Sequence, residues 1–129
     1  MSESPKSAGL QGELVAKWSL VRQGWRISGE QVLIHGHRLD LLAIHPATGH
    51  EWMVEVKVWG PDPSGRDTVK KALADAYDLR EAGETRPYLL VLSHSLEGLH
   101  GEMIARARKA GVLGDVQLIG LTPLDNVVE

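Results

Sequence analysis

The residues with most chemistry in them lie in Trp52-Met53-Val54-Glu55-Val56-Lys57-Val58-Trp59. Side chains alternate along an extended strand, so Trp52, Val54, Val56 and Val58 face one way and Met53, Glu55, Lys57 and Trp59 the other. Glu55 and Lys57 therefore stand side by side among apolar neighbours. Fourteen residues separate Asp40 from Glu55, a length that lets a hairpin bring both acids onto neighbouring strands. Glu13 follows Gly12 on an earlier helical stretch, where it can point across the end of the same sheet. Two or three carboxylates and one amine suit a hard metal ion. Mg2+ takes oxygen ligands in an octahedron, usually one or two carboxylates with several waters. Such an ion polarises a phosphate oxygen and turns a bound water into a nucleophile. An ammonium beside it orients that water and neutralises charge growing on the phosphate. Without the ion the acids repel one another, and one of them keeps a proton.

The elements that must position these groups follow from periodicity and breakers. Met1 to Ser7 reads as a disordered lead-in. From Ala8 to Gln23, Leu10, Leu14, Trp18 and Val21 recur at helical spacing, and Gly24 is a stop. Trp18 is expected in the core. Three strands come next. Trp25 to Ile34 carries a turn at Ser28-Gly29, Arg38 to Ile44 is the second, and His50 to Trp59 the third after the turn Pro46-Ala47-Thr48-Gly49. Gly60 to Gly65 is a break. A helix over Asp67 to Ala82 shows Val69, Leu73, Ala76 and Leu79 as its apolar stripe, with Asp67 near the N-cap and Gly83 at its end. Tyr88 to Leu92 is a short apolar run that suits a buried strand. A third helix spans Leu96 to Lys109 and a last strand Val116 to Leu121. The order α-β-β-β-α-β-α-β predicts an α/β fold, a mixed central sheet flanked by helices on both faces. Residues 8–122 form the one domain, and 123–129 an acidic tail.

Composition narrows the classes. The chain has 129 residues, 43% hydrophobic and 24% charged, the balance of one globular domain. No apolar run reaches the ~20 residues of a membrane helix, and Met1 to Ser7 are polar and small, without an apolar stretch that could act as a secretory signal. Cysteine is absent, which excludes disulfides, thiolate zinc sites and a cysteine nucleophile. A cytoplasmic location is expected. Fourteen basic against seventeen acidic residues leave a net charge of −3, so a polyanion would have to meet a local basic face.

A Glu-x-Lys strand alone also describes a solvated face; the combination of helix Glu, turn, strand Asp and strand Glu-x-Lys is more telling. With Gly12-Glu13, Leu39-Asp40-Leu41-Leu42-Ala43 and Glu55-Val56-Lys57, the sequence resembles the PD-(D/E)XK nuclease superfamily over about Gly9 to Leu92. Among its branches the chain looks most like the archaeal-type Holliday junction resolvases. The resemblance implies a restriction-endonuclease-like αβββαβ core. It implies Asp40 and Glu55 as metal ligands with the Val56 backbone carbonyl, Glu13 as an acid that meets the metal through water, and Lys57 as catalytic lysine. Mg2+ would be the cofactor, with Mn2+ able to substitute. The partner would be DNA, four-way junctions above all, and the working form a homodimer whose two-fold symmetry supplies two cuts. The alternatives are a restriction- or repair-type nuclease acting on duplex DNA, and an inactive nuclease fold kept for binding. Leu39 stands where the superfamily's motif has Pro, and Leu14 where many resolvases have Arg.

For DNA contact the candidates are Ser28, matched to the resolvase loop serine, His37 and Arg38 just before Asp40, and Arg66, Lys70 and Lys71 on the second helix. Lys70 and Tyr77 share a helix face that would track a phosphate backbone. Lys71 can instead pair with Asp75. His35, His37, His45 and His50 match no zinc-site spacing. Of the tryptophans, Trp59 is best placed for a site role.

Overall fold

The computed structural model describes residues 5–57, 64–93 and 99–119; the side chains of 5–11, 64–66 and 99–100 lie outside that description. The elements run α1 (Pro5–Arg22), β1 (Arg26–Ile34), β2 (His37–Ile44), β3 (Glu51–Lys57), α2 (Ser64–Glu81), β4 (Tyr88–Leu92), α3 (Leu99–Lys109) and β5 (Asp115–Leu118). This is the expected order. Helix α1 takes in Pro5 to Ser7 of the expected lead-in, since proline's fixed φ suits a first helical position. Trp59 and the tail at 123–129 lie outside the described residues.

One five-stranded sheet has the order β1-β2-β3-β4-β5. β1, β2 and β3 pair antiparallel, and β3, β4 and β5 parallel. The continuous apolar run of β4 is buried on both faces, as a central parallel strand requires. Tyr88, Leu90 and Leu92 pack with Val69, Leu73, Ala76 and Leu79 of α2 and with Ile104 and Ala107 of α3. Leu89 and Val91 pack on the other side with Ala16 and Leu20 of α1. The layers are therefore α1, sheet, and α2 with α3.

Helix α1 corrects the sequence reading. It buries its small face, Gly12, Ala16 and Leu20, and turns Leu14, Trp18 and Val21 outward at 46%, 57% and 56% exposure. Trp18 is not a core residue. Both stripes are apolar at helical spacing, and bulk favoured the wrong one. Ala16 and Leu20 of the buried face share a cluster with Leu41, Val54, Leu89 and Val91 of the sheet.

Ser28-Gly29 is not a turn either. β1 runs on through it, and the register with β2 shifts between Ile27 and Gly29, a bulge within the strand. The hairpin turn is His35-Gly36, both with positive φ (47° and 85°), as a two-residue turn matched to strand twist needs. The α2–β4 connection is fastened by Glu84. Its buried carboxylate accepts from the Thr85 and Arg86 backbone N–H groups and from the Arg86 guanidinium. The Arg86 hydrogen bond is the main cause that pulls its pKa down to about 2. Arg86 also donates to Glu51, which accepts from Ser28. Trp25 and Trp52 pack against His45 at the far end of β2, so these two rings serve the fold. Among the described residues no helix is long and apolar enough to cross a membrane.

Candidate active site

The site grows from a fork between β2 and β3. Their pairing runs from Ile44–Glu51 to Leu41–Val54. At the next position Asp40 and Glu55 would stand opposite, and there side chains take over the ladder. The Val56 N–H donates to Asp40 Oδ2 at 2.7 Å, and the Asp40 N–H donates to Glu55 Oε1 at 3.3 Å. Side-chain alternation slips at the same place. Leu41 and Ala43 face α1, whereas Leu39 and Leu42 face α2 and α3. Asp40 thus sits at the opening where β2 parts from β3. Beyond it the hairpin tip is held to α2 by His37 against Asp75 and Asp78, and to the α2–β4 connection by His35 near Glu84.

Glu13 and Glu55 each lie against Asp40. Glu55 is 7% exposed. Burial, followed by the hydrogen bond and charge of Asp40, pushes its pKa up to about 9, while Lys57 and the Asp40 N–H pull the other way. Glu13 is pushed up to about 7, first by burial and then by Asp40, against an opposing hydrogen bond from Gln31. The Lys57 ammonium lies 3.7 Å from Glu55 Oε2. In physical terms this is a negative cluster with too little positive charge. It must hold protons or a cation to be stable. The sequence-selected Glu13, Asp40, Glu55 and Lys57 are thus brought together. The Val56 N–H is engaged with Asp40, in the strand segment whose carbonyl the resemblance singles out. Among the described residues no three His, Asp or Glu side chains converge on one point that could hold a metal ion. Below the fork Tyr88 is buried with no hydrogen-bond partner for its hydroxyl among the described residues, and burial, then the charges of Glu55, Asp75 and Asp40, raises its pKa.

The residues selected for DNA contact scatter more. Ser28 is tied to Glu51, and His37 to the acids of α2. Arg38 is exposed on β2, and Lys70 and Lys71 on α2. Asp75, offered to Lys71 by helical spacing, faces His37 instead. The Arg66 side chain lies outside the described residues. Lys70 and Arg106 border a shallow groove of about 260 Å³ between α2 and α3, floored by Leu73, Ala74, Tyr77 and Met103. Gln31 was missed by the sequence reading. Its amide Nε2 donates to Glu13 Oε1 at 2.9 Å from a backbone at φ +50°. A glutamine in a strand gives no sequence signal of such a conformation.

No protein-family model matches the chain, and no curated protein matches it. Solved structures do. A protein of unknown function, AF1548, is similar at TM-score 0.58 and 20% identity, over 88% of this chain and 58% of its own. A repair endonuclease from Pyrococcus abyssi is similar at TM-score 0.49 and 18% identity, over 95% of this chain and 49% of its own. EndoMS in complex with double-stranded DNA is similar at TM-score 0.49 and 13% identity, over 93% and 46%. The first likeness is one of fold, the mixed α/β sheet flanked by helices. At TM-scores below 0.5 the other two add nothing to it. The chain spans about half to three-fifths of the length of these structures.

Proposed function

We propose that the chain is a metal-dependent endonuclease that hydrolyses phosphodiester bonds of DNA, with branched DNA such as a four-way junction as substrate and a homodimer as working form. The observation that carries the reading is the fork, where Asp40 and the buried Glu55 share a site with Lys57 3.7 Å from Glu55. The donor set fits a hard divalent cation, since it offers carboxylate oxygens and a neighbouring main chain. Asp40 and Glu55 would hold Mg2+ or Mn2+, with the Val56 carbonyl beside them and Glu13 reached through water. When bound, the ion supplies a polarised phosphate oxygen and a water acidic enough to attack. Lys57 places a positive charge where the phosphate becomes more negative and can orient the attacking water. Glu55, which holds a proton in the metal-free fork, would release it when the cation binds.

The substrate preference rests on the resemblance to junction resolvases. The homodimer has separate support in the outward apolar stripe Leu14, Trp18 and Val21, because exposed apolar patches mark contact surfaces. The test is cleavage of a four-way junction and a linear duplex of the same sequence, with Mg2+ and with a chelator. Junction cleavage that needs Mg2+ and is lost in Asp40→Asn, Glu55→Gln and Lys57→Ala supports the reading. Normal cutting by all three variants refutes it. Cleavage of the linear duplex alone would transfer the chemistry to a restriction- or repair-type enzyme.

A further inference from the structure

We infer that Gln31 is a positioning residue for the acidic fork: its amide aims the Glu13 carboxylate at Asp40, so that both acids can serve one divalent cation. The inference rests on the reading proposed above.

Three observations carry it. Gln31 Nε2 donates to Glu13 Oε1 at 2.9 Å, and Glu13 is the acid that in turn meets Asp40. In the β1–β2 register Glu30 pairs with Leu41 and Val32 with Leu39, which puts Gln31 across from Asp40. The Gln31 backbone has φ +50°, in the left-handed region that few residues other than glycine, asparagine and aspartate adopt. Gln31 is exposed, so packing does little to offset that strain. Strained conformations of this kind gather where a side chain must be aimed. When both acids are ionised, Asp40 repels Glu13 and would drive it towards solvent. A donor on the far side of Glu13 opposes that motion. Lys17, on the same helix as Glu13, is engaged with Glu30 at 2.9 Å, which leaves this task to the Gln31 amide.

Two variants separate aiming from structure. Gln31→Met keeps the length of the side chain and removes the donor. Gln31→Asn keeps an amide and suits the left-handed backbone, but is one methylene too short to reach Glu13. The readouts on the full chain are Mn2+ affinity by calorimetry, Tm without metal, and cleavage rate at saturating DNA alongside KM. Partners that orient metal ligands are typically worth about 10–100-fold in affinity or activity. Both variants should therefore lose about that much Mn2+ affinity and rate at unchanged KM for DNA, while the Tm of Gln31→Asn equals or exceeds the wild-type value. A lowered Tm with wild-type Mn2+ affinity would mean a structural role and overturn the inference. So would affinity lost only in step with Tm. If wild type binds Mn2+ and cuts, and both variants match it, the Gln31 inference falls and the nuclease reading stands. If wild type binds Mn2+ without cutting, the nuclease reading falls and affinity alone decides on Gln31. If wild type binds no Mn2+, both fall.

Discussion

Replacing Glu55 by glutamine should make the metal-free protein more stable, and more so as pH rises. In the unfolded chain this carboxyl ionises near 4.5, and in the fork near 9. Between these values the folded state holds a proton that the unfolded state has released. Stability gained from that group is therefore complete below pH 4.5 and is lost as pH climbs towards 9, by at most about 1.4 kcal/mol per pH unit. At pH 7 the loss amounts to about 3 kcal/mol. Glutamine is neutral at every pH and copies the protonated acid. It can still accept from the Asp40 N–H and can donate to the Asp40 carboxylate. The loss should vanish in Glu55→Gln, which at this chain length corresponds to a Tm higher by roughly 10 °C at pH 7. The assay is thermal unfolding of both proteins in chelator from pH 5 to 9. The wild-type Tm should fall across the range and that of the variant should stay nearly level, with the two meeting at the acid end. Parallel curves would refute the idea that the fork holds a proton on Glu55, and with it the account of why a cation is wanted there.

Other consequences are open to equally direct checks. Trp18→Glu should leave Tm within a few degrees of wild type and convert a dimer into a monomer in sedimentation equilibrium, because the side chain is exposed on a single chain. Unchanged mass would remove the structural support for a homodimer. Arg86→Ala strips charged hydrogen bonds from the buried Glu84 and should cost about 2 kcal/mol by denaturant titration at pH 7. Glu84 has a lowered pKa, so its contribution is present above about 4.5 and fades as pH falls towards about 2; the deficit should shrink in acid. Arg38→Ala, Lys70→Ala and Lys71→Ala should each weaken DNA binding and lower the slope of log affinity against log salt by about 1 if the residue contacts a phosphate. A slope that does not change places that residue off the DNA.

The sequence was most readable where one signal sufficed. The stripe Val69, Leu73, Ala76 and Leu79 specified both the existence and the buried face of α2, and the unbroken apolar run of Tyr88 to Leu92 specified the central strand. Glu55 and Lys57 were readable because strand alternation fixes which side chains are neighbours. Trp18 was misread because α1 is apolar on two faces, and periodicity alone does not rank a small stripe against a large one. The Ser28-Gly29 bulge was taken for a turn because glycine beside serine serves either purpose. Gln31 could not be found at all: neither its φ of +50° nor its hydrogen bond to Glu13 on a distant helix leaves a signal in a glutamine within a strand. Nor could spacing reveal that His37 would be engaged by Asp75 and Asp78, acids about forty residues away.

The central claim is that the fork of Asp40 and Glu55 exists to hold a divalent cation. Isothermal titration of the full chain with Mg2+ near neutral pH, in two buffers of different ionisation heat, addresses it directly. The account predicts one saturable site per chain, release of about one proton on binding, and loss of both signals in Asp40→Asn. Absence of saturable binding by Mg2+ and by Mn2+, or binding that survives Asp40→Asn unchanged, would contradict it.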